Sequence, residues 1–180
     1  MITIPNVITL LRIFLVPVFV TTIVYKRFDY SLIVFLTASI TDTLDGLIAR
    51  LKNQKTDLGA FLDPLADKLL LVSAFLSLTF LEQIPKWLTI VIISRDLIVV
   101  LGWISLYIQT GSTRVAPSVA GKLSNTFQVI SIGTVLLGLN FPVPGLLLNT
   151  LFIFTAGLSA VSCIHYIMRD IRLYERTGDN

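Results

Sequence analysis

Four aspartates carry most of the chemistry this sequence offers: Asp42, Asp45, Asp63 and Asp67, each set inside an apolar stretch. Asp42 and Asp45 are three apart and Ala49 follows four later, so on an α-helix the three share one face. Gly59, Asp63 and Asp67 repeat every four residues and share a face on the following helix. Two consecutive helices on a short connection pack antiparallel, which brings four carboxylates together. At membrane depth each carboxylate costs roughly 2.5–3.5 kcal/mol on insertion scales, and four side by side repel one another. Positive charge must offset both terms. All-oxygen donors suit hard divalent cations, Mg2+ or Mn2+, and a pair of such ions about 3.5–4 Å apart serves displacement at phosphorus. Gly46, Ala49 and Gly59 lie on or beside the same faces and let a bulky ligand approach the backbone. Arg50 sits one turn beyond Asp45, where a guanidinium grips a diphosphate bidentately. Asp57 falls outside the pattern and reads as a solvated loop residue.

The elements that must hold these residues are membrane spans. The chain has 180 residues, 54% hydrophobic and 14% charged, against about 25% charged in a soluble domain. A span needs about 20 mostly apolar residues, and six stretches meet or approach that length: roughly 5–25, 30–50, 58–81, 86–109, 120–141 and 145–168. Polar breaks separate them at Lys26–Asp29, Lys52–Lys55, Glu82–Lys86 and Thr110–Arg114, and Pro142-Val143-Pro144-Gly145 forms a tight turn. Pro85 suits a helix start. The expected fold is therefore all-α, a single domain over residues 1–180 built as an integral membrane bundle of six transmembrane helices. The first stretch lacks a basic leader and a small-residue cleavage pattern, so it reads as a retained span.

Loop charge sets the orientation. One side carries Arg50, Lys52, Lys55, Arg114, Lys122, Arg169, Arg172 and Arg176; the other carries Lys26, Arg27 and Lys86. Both termini and the carboxylate cluster are expected on the cytoplasmic side of the cell membrane. The net charge is only +3, and no nucleic-acid partner is expected. The single Cys163 excludes an internal disulfide and reads as a packing residue. His165 has no second soft ligand nearby and reads as interfacial packing, as do Trp87 and Trp103. Pro64 is expected to kink the third helix and free the carbonyl of Ala60.

Residues 42–67 read Asp-x2-Asp-Gly-x2-Ala-Arg-x8-Gly-x3-Asp-x3-Asp. This resembles the motif of the CDP-alcohol phosphatidyltransferases at every fixed position and gap, and the six spans extend the resemblance over nearly the whole chain. The resemblance implies that Asp42, Asp45 and Asp63 hold two divalent metals. It implies that Asp67 both touches metal and acts as general base on the acceptor hydroxyl. It places Asn6, Gly46, Arg50 and Thr56 at the CDP moiety of CDP-diacylglycerol, and it suggests a homodimer. The reaction it implies is attack on the lipid-side phosphorus of the diphosphate, with CMP leaving.

The acceptor is less sharply written. Arg95 lies inside the fourth span, and Arg114 and Lys122 lie near the fifth. They read as a basic pocket for an anionic acceptor's phosphate; the alternative for Arg95 is a structural pair with Asp96 or another carboxylate. Arg12, in the first span, reads as snorkelling or paired. Ile4-Pro5-Asn6, Leu11-Arg12, the run Asp57–Lys68 and Gly121-Lys122 resemble the branch that uses glycerol-3-phosphate. That branch has Glu after the fourth-span Arg and a second Arg two turns on; here Asp96 and Trp103 stand in those places. Ser94-Arg95-Asp96 and Pro117-Ser118 also resemble the CDP-using cardiolipin synthases, whose acceptor is phosphatidylglycerol. A rival of another class is a cation transporter, since intramembrane carboxylates also line ion pathways. A transporter has no need of the Gly, Ala and Arg of the motif. A membrane prenyltransferase spaces its Asp clusters differently and needs more spans.

Overall fold

The computed structural model of the chain describes residues 4–51, 57–110 and 119–178, with side chains described within 9–41, 66–102 and 119–168. Among the described residues there are six α-helices and no strand: α1 (Ile4–Val24), α2 (Phe28–Leu51), α3 (Asp57–Phe80), α4 (Lys86–Thr110), α5 (Val119–Asn140) and α6 (Gly145–Gly178). The all-α expectation is borne out, and the helix ends fall within two residues of those read from hydropathy, with one exception. α6 runs on to Gly178, past the apolar stretch that stops at Met168. Hydropathy measures where apolar side chains end; backbone hydrogen bonding continues through the polar residues that follow.

Two helix ends use a conformation that the sequence did not announce. Lys26 has φ 55° and Glu82 has φ 59°, a left-handed backbone usually left to glycine. Each closes the helix before it with a paired cap. Arg27 N–H donates to Thr22 O at 2.9 Å and Lys26 N–H to Ile23 O at 3.0 Å. Gln83 N–H donates to Leu78 O at 2.9 Å and Glu82 N–H to Thr79 O at 3.0 Å. These are Schellman-type ends, which satisfy carbonyls the helix leaves unpaired and turn the chain sharply into α2 and α4.

The chain divides into two compact units, Met1–Ile84 with Ile132–Pro144, and Pro85–Ser131 with Gly145–Asn180. In the first, α1 packs against both α2 and α3. The buried stripe of α1 is Thr9, Arg12, Phe19 and Ile23, each at most 2% exposed, and its alternating steps of three and four are those of a packed helix. The Phe19 and Phe35 ring centroids lie 6.0 Å apart, and Ser31 Oγ donates to Thr22 Oγ1 at 3.0 Å. Asn140 Nδ2 donates to Phe28 O at 3.1 Å, tying the end of α5 to the start of α2. In the second unit α4 packs against α6. α5 is joined to α6 by hydroxyl pairs, Ser124–Ser159 and Ser131–Thr155, both at 2.9 Å, and by a Phe127–Phe154 ring contact at 4.9 Å.

Beside this apolar core, the described residues bury many polar side chains and expose large apolar ones. Arg12, Arg95, Asp96, Gln128 and several Ser and Thr are buried, while Phe14, Phe80 and Leu146 are 71%, 85% and 80% exposed. Gly145–Met168 is, among the described residues, the helix long and apolar enough to cross a membrane; Thr9–Val24 and Phe28–Thr41 are shorter apolar stretches. Thr9–Val24 begins, and Phe28–Thr41 ends, where the described side chains do.

Candidate active site

The helices that carry the four acids are continuous through them. α2 stays helical to Leu51, and α3 is helical from Asp57. On α2 the buried positions are Ser31, Phe35 and Ala38; continuing the same steps of four and three reaches positions 42 and 45. On α3 the buried positions Leu70, Ala74 and Leu78, stepped back along the helix, lead to positions 67 and 63 and then to 59. The acids therefore stand at steps of three and four from buried positions of their own helices; the Asp67 side chain itself is 37% exposed. The side chains of Asp42, Asp45, Asp63, Asn6, Gly46, Ala49, Arg50 and Gly59 lie outside the described residues, as does that of Trp103; Thr56 and Arg114 lie outside them entirely. Among the described residues no group of three metal-ligating side chains occurs.

Asp67 is the member of the quartet whose surroundings are described. Its carboxylate Oδ1 accepts a hydrogen bond and ion pair from Nη1 of Arg12. The Arg12 side chain is 1% exposed and the Asp67 side chain 37%. Arg12 thus does not snorkel: a snorkelling arginine keeps its charged head in water, whereas this head is covered, and it is paired with an acid of the motif. Charge-assisted hydrogen bonds of this kind are among the strong ones.

Antiparallel register extends the picture. Thr22 meets Ser31, and Phe19 meets Phe35. Seven residues back from Phe19 is Arg12, and seven residues on from Phe35 is Asp42. Position 12 is therefore level with position 42 while its side chain reaches α3.

In the second unit Arg95 is 3% exposed and heavily bonded. Its Nη1 donates to Asp96 Oδ1 at 2.7 Å and to Asn125 Oδ1 at 3.1 Å, and its Nη2 donates to Ser162 Oγ at 2.8 Å. The guanidinium also lies 5.9 Å from the ring centroid of Tyr166. One arginine so joins α4, α5 and α6. Neighbouring residues on a helix do not face each other; the length of the Arg95 side chain is what lets it fold back on Asp96. Of the three expected acceptor residues, Arg95 is covered and internally paired in this state, Lys122 is exposed on the first turn of α5, and Arg114 lies outside the described residues.

Sequence reasoning left Arg12 undecided and did not find Asn125, Ser162 or Tyr166. A signal for Arg12 was present: it occupies a core position of the stripe Thr9, Arg12, Val16, Phe19, Ile23, where an apolar residue is the rule. Nothing in the spacing of α5 and α6 marks Asn125 and Ser162 as partners of a residue on α4.

Comparison with known proteins places this sequence in a family. The model of the CDP-alcohol phosphatidyltransferases matches residues 2–164. A probable phosphatidylglycerophosphate synthase of Mycobacterium tuberculosis is 35% identical over 176 residues, covering 93% of this chain and 81% of that protein. A CDP-diacylglycerol–glycerol-3-phosphate 3-phosphatidyltransferase of Bacillus subtilis is 39% identical over 153 residues, covering 76% of this chain and 78% of that protein. The human cardiolipin synthase (CMP-forming) is 35% identical over 181 residues, covering 91% of this chain and 60% of that protein. With a motif-bearing helix pair, a buried arginine on one of its acids and a match that spans almost every helix, the chain belongs to the CDP-alcohol phosphatidyltransferase family.

Proposed function

We propose that the protein transfers the phosphatidyl group of CDP-diacylglycerol to glycerol-3-phosphate, releasing CMP, at the cytoplasmic face of a cell membrane that its six helices span. The observation that carries this reading is the family match over residues 2–164, in a chain whose motif acids are spaced by three and four residues along two continuous helices. Relatives named for the glycerol-3-phosphate reaction support the acceptor. The exposed apolar side chains of α1, α3 and α6 and the buried polar ones support the bilayer as solvent. A homodimer follows the family's precedent.

The chemistry assigns roles to this chain's own residues. Asp42, Asp45, Asp63 and Asp67 would hold two Mg2+ or Mn2+ ions; an all-carboxylate donor set fits hard cations. When bound, the ions would supply charge stabilisation to the diphosphate and to departing CMP. Arg50 grips the diphosphate, and Gly46, Ala49 and Gly59 leave room for the nucleotide beside the backbone, with Asn6 and Thr56 at its edge. Asp67 takes the proton of the acceptor hydroxyl as its oxygen bonds to the lipid-side phosphorus. The bond between that phosphorus and the oxygen of CMP breaks in the same displacement. Lys122 and Arg114 attract the acceptor's phosphate, and Arg95 ties α4, α5 and α6 to one another.

A second reading is supported by relatives named cardiolipin synthase (CMP-forming), for which the acceptor is phosphatidylglycerol. Purified protein given labelled CDP-diacylglycerol with glycerol-3-phosphate, phosphatidylglycerol, inositol phosphate or serine in turn separates the two. Product from glycerol-3-phosphate supports the first reading; product from phosphatidylglycerol alone replaces it with the second. Ion flux without CMP release would support a transporter instead.

A further inference from the structure

We infer that Arg12 is a positioning residue of the carboxylate site, holding the Asp67 carboxylate from the α1 side. The inference rests on the role proposed above for Asp67. Arg12 is the only charged residue of α1, and it stands in that helix's buried stripe, 1% exposed, between Thr9 at 0% and Phe19 at 0%. The opposite face of α1 is apolar and open, with Leu10, Leu11, Phe14 and Val18 between 43% and 71% exposed. An apolar side chain would fill position 12 with less desolvation cost. A charge retained there, bonded to an acid of the motif, acts on that acid.

Three features say how. First, the bond orients. A carboxylate offers about four lone-pair positions on two oxygens, and Arg12 engages Oδ1, which fixes how the Asp67 carboxylate lies. Second, the approach is from below. Arg12 is covered and Asp67 is partly exposed, so substrate arriving at Asp67 does not displace the guanidinium. Third, charge arithmetic changes at the site. Two divalent ions alone would only neutralise four carboxylates; with a fixed guanidinium present they overshoot neutrality, and the site attracts a diphosphate. The antiparallel register of α1 and α2 also sets position 12 level with position 42.

The test uses the full-length protein purified in detergent, with Arg12→Gln and Arg12→Lys. Turnover is measured against CDP-diacylglycerol and glycerol-3-phosphate, and binding of Mn2+ alone is followed by electron paramagnetic resonance without lipid substrate. Arg12→Gln is expected to lower kcat roughly 100-fold, the scale on which a misplaced catalytic group costs rate, with KM for glycerol-3-phosphate changed less than threefold. Its Mn2+ affinity should be equal to the parent's or tighter, because a nearby positive charge is gone. Arg12→Lys keeps the charge without the planar fork and should recover about a tenth of the parent rate. Should the Gln variant not fold, the Lys variant carries the test. Parent-like kcat in either variant overturns the inference. So does a parallel loss of Mn2+ binding and turnover, which is what a merely structural role gives. Retained turnover in Asp67→Asn would instead sink the underlying role of Asp67, whatever the Arg12 variants do.

Discussion

Removing the Arg95 guanidinium should destabilise the protein far more than removing the whole Arg95–Asp96 pair. Arg95 is 3% exposed and Asp96 is 4% exposed, so both charges are desolvated. Arg95 donates three hydrogen bonds, to Asp96, Asn125 and Ser162, at 2.7, 3.1 and 2.8 Å. Arg95→Met deletes all three and leaves the Asp96 carboxylate buried without its guanidinium, a change that costs about 3–5 kcal/mol in comparable buried pairs. Arg95→Met with Asp96→Leu removes both charges together, and such replacements are often close to neutral. The double variant still loses the Arg95 bonds to Asn125 and Ser162, so about 1–2 kcal/mol of loss should remain. The double variant is then about 2–3 kcal/mol more stable than Arg95→Met alone. In thermal unfolding of detergent-solubilised protein, followed by circular dichroism at 222 nm (a wavelength set by the helical amide), Arg95→Met should fall by on the order of 10 °C and the double variant by less than half of that. Equal losses in the two variants would refute the reasoning, because they would show that the charge on Asp96 does not depend on Arg95.

Other expectations follow from the same geometry. Phe35→Ala empties a fully buried position whose ring meets Phe19 at 6.0 Å; a loss of about 3–5 kcal/mol in unfolding free energy is expected, with catalytic constants of the surviving folded protein near the parent's. Asp67→Asn should abolish transfer while leaving the circular dichroism spectrum unchanged; near-parent turnover would remove Asp67 from the chemistry. Chelation with excess EDTA should stop CMP release, and added Mg2+ or Mn2+ should restore it; release undiminished by the chelator would contradict a carboxylate-held cation. A reporter active only outside the cytoplasm, fused after Asn180, should stay silent; activity there would reverse the orientation taken from loop charge.

Much of the fold was legible because lipid-suited helices write themselves as length. Apolar runs and polar breaks located the helix ends to within two residues, α6 excepted, and Pro85 marked the entry into α4. The motif acids stand out for a related reason, since a spacing of three and four on a helix is spacing on a face, and the structure describes the surroundings of Asp67 among them. What stayed hidden was tertiary. The left-handed residues Lys26 and Glu82 have none of glycine's chemistry, and their conformation is imposed by the caps they complete. Arg12 read as snorkelling or paired, with no partner named, because its partner lies 55 residues along the chain. Only packing of α1 against α3 decides that it turns inward. Arg95–Asp96 was readable as an adjacent pair, but its ties to Asn125 and Ser162 depend on how α4, α5 and α6 come together, which periodicity does not encode.

The central proposition is that the motif acids of α2 and α3 hold divalent cations on which CDP-lipid chemistry depends. The most direct measurement counts Mn2+ bound per chain by electron paramagnetic resonance, in parent protein and in Asp63→Asn, alongside CMP release from CDP-diacylglycerol in the same samples. The account expects about two Mn2+ per parent chain, fewer in the variant, and CMP release that tracks occupancy. Parent protein that binds no Mn2+ yet releases CMP at full rate would contradict it.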